Sequence, residues 1–252
     1  MLWFIPLTVF VLGLIVGSFL NVVIYRYQTG YTVLGRSECL VCGEKLRWFE
    51  LIPVASFLFQ LGRCRACSGL ISWQYPLVEL LTGFIFLSSF WRGGSLAWPL
   101  FVDWVIFSLL IVITVYDWRH KIIPDLFVYT FIVVALLQSV WLDAAGPGAF
   151  VGLALGAFFW LLWFASRGRW LGLGDAKLAL GLGLWLGFPV ALSAVTLAFW
   201  SGALVGLALL LVRGYNIKSE VPFAPFLSLG ALLVYLFQFD VFNLLSNLSF
   251  VT

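Results

Sequence analysis

"LGLGDAKLALGLGLWLGFP", residues 171–189, decides how this chain is folded. The run is apolar enough to enter a membrane, yet glycine lowers its helix propensity and Asp175 sits near its start. Counted as a crossing it completes a set of eight. Left out, it moves every later loop to the other side of the bilayer. The loops on either side therefore test it, and they are read by their basic residues.

The chain around this run is 252 residues long, 63% hydrophobic and 10% charged, with a mean hydropathy of +1.09. Such values exclude an ordinary soluble protein and indicate a polytopic, all-α membrane protein. Apolar stretches long enough to cross about 30 Å of hydrocarbon begin near Leu2, Pro76, Trp98, Leu126, Phe150, Leu171, Val190 and Phe223. Residues 2–25 have no basic residue before the apolar core and no small-residue cleavage site, so the first helix is read as retained rather than as a signal peptide. Turn sequences separate the stretches: "WRGGS" at 91–95, "DAAGPG" at 143–148, "GFP" at 187–189 and "RGYNIKSEVP" at 213–222.

One segment, residues 26–74, is polar, and it holds Arg26, Arg36, Lys45, Arg47, Arg63 and Arg65. Placing it in the cytoplasm and counting alternate loops brings Arg119, Lys121, Arg167, Arg169, Lys177, Arg213 and Lys218 to the same side. Only Arg92, of fourteen lysines and arginines, falls outside. The expected topology is therefore eight crossings with both termini outside. The net charge of +3 is small and spread over several loops, which excludes nucleic acid as a partner.

The cytoplasmic segment contains "CLVCGEKL" from Cys39 and "RCRACSGL" from Cys64. Two Cys-x-x-Cys pairs separated by residues 43–63 have nearly the spacing of a zinc ribbon. Two residues between thiols let both sulfurs of one turn reach one ion, and Gly43 and Gly69 suit the tight backbone beyond each pair. Disulfides are the competing reading, disfavoured by a reducing cytosol. Cys39, Cys42, Cys64 and Cys67 are thus expected to bind one structural zinc, with no coordination position open for catalysis.

Two acids fall at the cytoplasmic ends of apolar helices: Asp117 in "VITVYDWRHKIIPD" and Asp175 in "GLGDAK". Two carboxyls brought together at membrane depth would share one proton. The ionised member then takes a proton from water and the protonated one polarises a scissile carbonyl. Gly172 and Gly174 would let an extended substrate backbone approach Asp175. The alternative is that the aspartates pair with Lys177 or Arg119 and merely hold helices together. Glu38, Glu44, Glu50, Glu220, Asp143 and Asp240 are read as solvated or interfacial, and the only histidine, His120, as satisfied or solvated. Glu79, in "YPLVELLTG", is a candidate for binding substrate or packing against a polar helix.

Taken together, "GSFLNVVIYR" at 17–26, both cysteine pairs with "GRCRAC" at 62–67, and "ISWQYPLVELLTG" at 71–83 resemble one family, as do "DWRHKIIPD" at 117–125, "GLGDAKL" at 172–178 and "VPFAPFLSLGA" at 221–231. It is the type IV prepilin peptidases, intramembrane aspartic proteases of the GxGD type, also called prepilin leader peptidase/N-methyltransferases. The resemblance spans nearly the whole chain and places the catalytic pair on Asp117 and Asp175. It implies cleavage of prepilin or pseudopilin precursors after the glycine that closes a basic leader, in the bacterial inner membrane. It also implies methylation of the new N-terminal residue, usually phenylalanine, with S-adenosylmethionine, although no glycine-rich nucleotide fingerprint is evident. Two departures stand out: Arg119 where many members carry an acid, and Ala224 in place of the glycine of Pro-Phe-Gly-Pro. Neither is expected to touch the pair.

The expected division is 1–95, with the first two helices and the cysteine module at 26–74, followed by a six-helix aspartic peptidase domain at 96–252. Rival readings are a non-enzymatic zinc-ribbon assembly factor and a proton- or cation-coupled transporter. Two acids at one boundary favour hydrolysis, because transport wants polar groups nearer the midplane. The oligomeric state is left open.

Overall fold

The computed structural model describes residues 4–30, 32–142, 145–211, 221–238 and 241. Arg213, Lys218, Glu220, Asp143 and Asp240, named above, lie outside them. The described residues contain no β-strand, only two isolated antiparallel bridges. The helices are α1 (Phe4–Arg26), α2 (Ala55–Phe59), α3 (Gln74–Gly93), α4 (Trp98–His120), α5 (Asp125–Trp141), α6 (Ala145–Ser166), α7 (Leu173–Leu186), α8 (Val190–Leu211) and α9 (Ala224–Phe237). A 3-10 turn at Trp48–Leu51 precedes α2. By length and composition α1, α4, α6 and α8 can each cross a membrane, whereas α5 and α9 are apolar but shorter. The chain divides into two compact units, residues 1–112 and 113–252.

In the first unit α1 and α3 run antiparallel in close contact. A Cβ on Gly13 would come within 2.7 Å of the Gly83 backbone, and one on Gly17 within 2.7 Å of Glu79 Cα. Small residues let two helices approach where lipid offers no hydrophobic gain, and polar side chains then join them. Accordingly Asn21 of α1 donates to the Tyr75 carbonyl at 3.1 Å and accepts from the Gln74 side chain at 3.2 Å. Trp104 of α4 stacks on Phe86 of α3 at 4.8 Å, and its indole N–H donates to Ser89 Oγ. Below the end of α1, the Arg26 guanidinium gathers the carbonyls of Thr32, Val33, Gly35 and Arg36, so a residue read only as an orientation signal also folds the loop.

The second unit is built around α7. Asp175 and the glycines fit this helix because one side of it is packed inside the unit: Asp175, Leu178, Ala179 and Leu182 are all buried. Its glycines are contact points. Gly183 meets the Gly152 backbone of α6, where an added Cβ would lie 2.5 Å away, and Gly181 receives the Phe131 ring of α5. At 14 residues α7 is about 21 Å long, so a crossing of a roughly 30 Å hydrocarbon layer at this place needs the residues flanking the helix as well.

Candidate active site and metal centre

The sequence places Asp175 at the third position of α7, and Gly172 caps the helix in an extended conformation, φ −78° and ψ 154°. From there the Gly172 N–H donates to Asp175 Oδ2 at 2.9 Å. Asp117 lies one turn before the end of α4, which stops after His120 where Lys121 turns left-handed, φ 55°. Its carboxyl accepts the backbone N–H of Ala224, the first residue of α9. Both carboxyls are buried, and they are close enough to interact electrostatically. The structure thus brings together Asp117 and Asp175, each oriented by a backbone donor from the start of a helix.

Two expectations change, and one rival pairing falls away. Ala224 does touch the pair, through its N–H, and it takes the ordinary helical backbone of a first-turn residue rather than a glycine-only conformation. Gly174 does not open a path to Asp175: Ile123, in the turn between α4 and α5, already fills that space, and a Cβ would lie 2.7 Å from its Cβ. At Gly172 the nearest atom to an added Cβ is Asp175 Oδ2 at 3.5 Å, ordinary contact. Lys177 does not bind the aspartate pair. Its ammonium lies 2.5 Å from Asp125 Oδ1 and 4.7 Å from the centre of the Tyr129 ring, both on α5.

Asp125 was not singled out in the sequence, although its place after Pro124 at the first turn of α5 is a usual one for an acid. Asp103, also overlooked, is a buried acid of α4 in the first unit. The Lys177–Asp125 pair is partly exposed, so each of Lys177→Met and Asp125→Asn should cost under about 1 kcal/mol. The double variant should lose no more than the worse single one, measured by reversible unfolding in detergent. His120 is satisfied within its own helix, stacked on Tyr116 at 4.2 Å with Nδ1 3.2 Å from the Tyr116 carbonyl.

Glu79, in the first unit, acts as a strut. It accepts the Val54 N–H at 2.7 Å and a hydrogen bond from Ser18 of α1.

The four cysteines converge. All four Sγ atoms lie within 4.8 Å of one another, and Cys39 and Cys67 are 3.9 Å apart, against about 3.8 Å for thiolates tetrahedrally placed 2.3 Å from a zinc ion. They are free thiols, not disulfides. Each pair sits on a matching turn: Cys39 N–H bonds to the Glu44 carbonyl and Gly43 N–H to Cys39, while Cys64 N–H bonds to Gly69 and Ser68 N–H to Cys64. The left-handed residues are Gly43 and, in the second turn, Ser68 rather than Gly69. Gly69 is small for another reason, since a Cβ there would meet Val41 Cγ2 at 3.0 Å and Cys67 Sγ at 3.2 Å. The backbone N–H of Cys42 draws the Cys39 thiol down to about 7. Cys42 itself is pushed up to about 12, since desolvation and the neighbouring thiols outweigh the Glu44 N–H that favours its thiolate. The cluster can hold a metal ion.

Among the described residues, helices long and apolar enough to cross a membrane, beside a buried carboxyl pair, are the features of a membrane protein, and the comparisons with known proteins make it an enzyme. Residues 11–93 match the Bacterial Peptidase A24 N-terminal domain and residues 104–207 the Type IV leader peptidase family. The chain is 34% identical to a prepilin leader peptidase/N-methyltransferase of Pseudomonas putida, covering 92% of this chain and 90% of that one. It is 35% identical to one of Bacillus subtilis, covering 90% and 92%. It is 36% identical to a type 4 prepilin-like proteins leader peptide-processing enzyme of Escherichia coli, again covering 90% and 92%. No solved structure gives a significant match. The chain belongs to the type IV leader peptidase family.

Proposed function

We propose that this protein cleaves the basic leader from type IV prepilin-like precursors, with Asp117 and Asp175 as the catalytic carboxyls. The observation that carries this reading is the pair itself: two buried carboxyls in electrostatic contact, each held by a backbone N–H, with Lys177 engaged by Asp125. The ionised carboxyl takes a proton from a water molecule as the water oxygen attacks the carbonyl of the glycine that closes the leader. The protonated carboxyl polarises that carbonyl, and the C–N bond breaks as a proton passes to the leaving amine. Gly172, uncrowded by the fold, is where an extended substrate backbone would pass.

The names of the relatives support methylation of the new amine with S-adenosylmethionine as a second activity. Glu79 is not assigned to that cofactor, because its hydrogen bonds go to Val54 and Ser18. Cys39, Cys42, Cys64 and Cys67 would hold one zinc that folds the cytoplasmic module. α1 and α3 to α9 are proposed as eight crossings of the inner membrane, dividing a 1–95 region from a six-helix 96–252 domain.

Incubating the purified protein in detergent with a prepilin, with and without S-adenosylmethionine, and weighing the products tests both activities. Loss of the leader mass is expected in both arms, and a further methylene's mass only with the methyl donor. An unaltered prepilin would overturn the peptidase reading. For the topology, cysteines introduced at Ser95 and Gly146, both exposed, should react with an impermeant thiol reagent applied to intact cells, and one at exposed Trp170 should not. Labelling at residue 170 from outside would separate the predicted sides of the chain and remove the basis for the eight-crossing arrangement.

A further inference from the structure

Residues 51–62, "LIPVASFLFQLG", form a run without a charged residue, bracketed by Glu50 and Arg63. A run this short cannot cross a bilayer, which leaves a buried core helix or a segment lying in the membrane interface. Burial excludes the first. Phe57 alone among its large apolar side chains is buried, while Leu58, Phe59 and Leu61 are 61%, 88% and 86% exposed.

The structure also ties this segment to α3, which packs against the candidate span α1. The Val54 N–H is bonded to Glu79 Oε2, and Glu79 is the sixth residue of α3, about 7.5 Å along the helix from its start. Phe57 packs at 4.8 Å on Trp73, the exposed residue that caps α3. Arg63 and Leu70 form an antiparallel bridge, and Ile71 N–H bonds to Gly62, so exposed Leu70 belongs to the same surface. Leu58, Phe59, Leu61 and Leu70 are therefore exposed on a segment joined, through Val54 and Phe57, to the start of α3, whose partner α1 is a candidate span. Charge agrees: residues 26–74 carry six basic side chains against Glu38, Glu44 and Glu50. Tryptophan at headgroup level, apolar side chains beside it and basic residues around them suit an anionic lipid surface.

We propose that residues 51–61, with Leu70 and Trp73, are seated in the cytoplasmic headgroup layer, with Leu58, Phe59 and Leu61 in lipid. The cysteine module is then a membrane-lying plate rather than a domain projecting into the cytosol. This rests on α1 and α3 being membrane helices.

The test places a nitroxide at position 59 through a keto amino acid, sparing the four cysteines, in the full chain reconstituted into vesicles of phosphatidylethanolamine and phosphatidylglycerol. Matching labels go at Phe84, exposed on α3, and at exposed Lys45. Oxygen should relax the label at 59 more than a water-soluble nickel chelate does, as at 84, with the reverse order at 45. A label at 59 that behaves like the one at 45, or that is shielded from both agents by covering protein, overturns the proposal. Water-like behaviour at 84 as well would overturn the membrane reading of α3, a failure distinct from loss of leader cleavage, which the product-mass assay reads separately.

Discussion

Asp117→Asn and Asp175→Asn are each expected to leave a folded protein whose leader cleavage is lowered by roughly 10²–10⁴-fold. Both substitutions are nearly isosteric and keep an oxygen able to accept from the Ala224 or Gly172 N–H, so the hydrogen bonds that orient each side chain survive. What an amide cannot do is take a proton from water or share one across the pair. Either change alone should suffice, and the double variant should be little worse than a single one, since the two carboxyls act as one device. Gel filtration and far-UV dichroism establish folding, and a prepilin cleavage time course reads the rate. Substantial cleavage by either folded variant removes that residue from the pair.

The second large effect belongs to the cysteines. Cys64 is the most enclosed of the four, and Cys64→Ser should release the metal, because a serine hydroxyl does not replace a thiolate ligand. Structural zinc contributes about 10–16 kcal/mol to the folding of small modules, far more than so short a segment gains from its few buried side chains. Metal analysis should find about one zinc per chain in the parent protein and none in the variant. Limited proteolysis should then cut between residues 26 and 74. Leader cleavage should fall less than in the aspartate variants. A metal-free parent protein with two disulfides and full activity would overturn the assignment.

How much of this was legible in the sequence depended on what each signal reports. The long helices begin close to where apolar runs begin, because hydropathy measures what a crossing needs. The four cysteines were legible because metal ligation forces a short local spacing. Asp117 and Asp175 were isolated by depth and side alone. What escaped was pairing between distant segments. Nothing in "GLGDAK" says that Lys177 will reach Asp125, or that the second glycine is small for the sake of Ile123. The glycines of residues 171–189 lower helix propensity, yet Leu173–Leu186 is helical, and the glycines are there for close packing against the α6 backbone and the Phe131 ring of α5, a property of the neighbours. The Ala224 contact escaped for the same reason: a backbone N–H has no letter of its own.

That last contact bears on how freely this site can drift in evolution. Both carboxyls are held by main-chain donors, at Gly172 and Ala224, but only at 224 is an amide hydrogen all that the position owes the site, and nineteen of the twenty amino acids supply it. A family glycine can therefore become alanine at 224 without rewriting the centre. Proline is the one residue barred. At position 172 the backbone already stands at φ −78°, a torsion proline accepts, so Gly172→Pro would delete a single donor while leaving the chain path intact. Selection at position 224 should accordingly read as tolerance punctuated by one forbidden letter, unlike position 172, where a side chain would stand in the path of the substrate backbone, and unlike the aspartates, where every substitution is a loss.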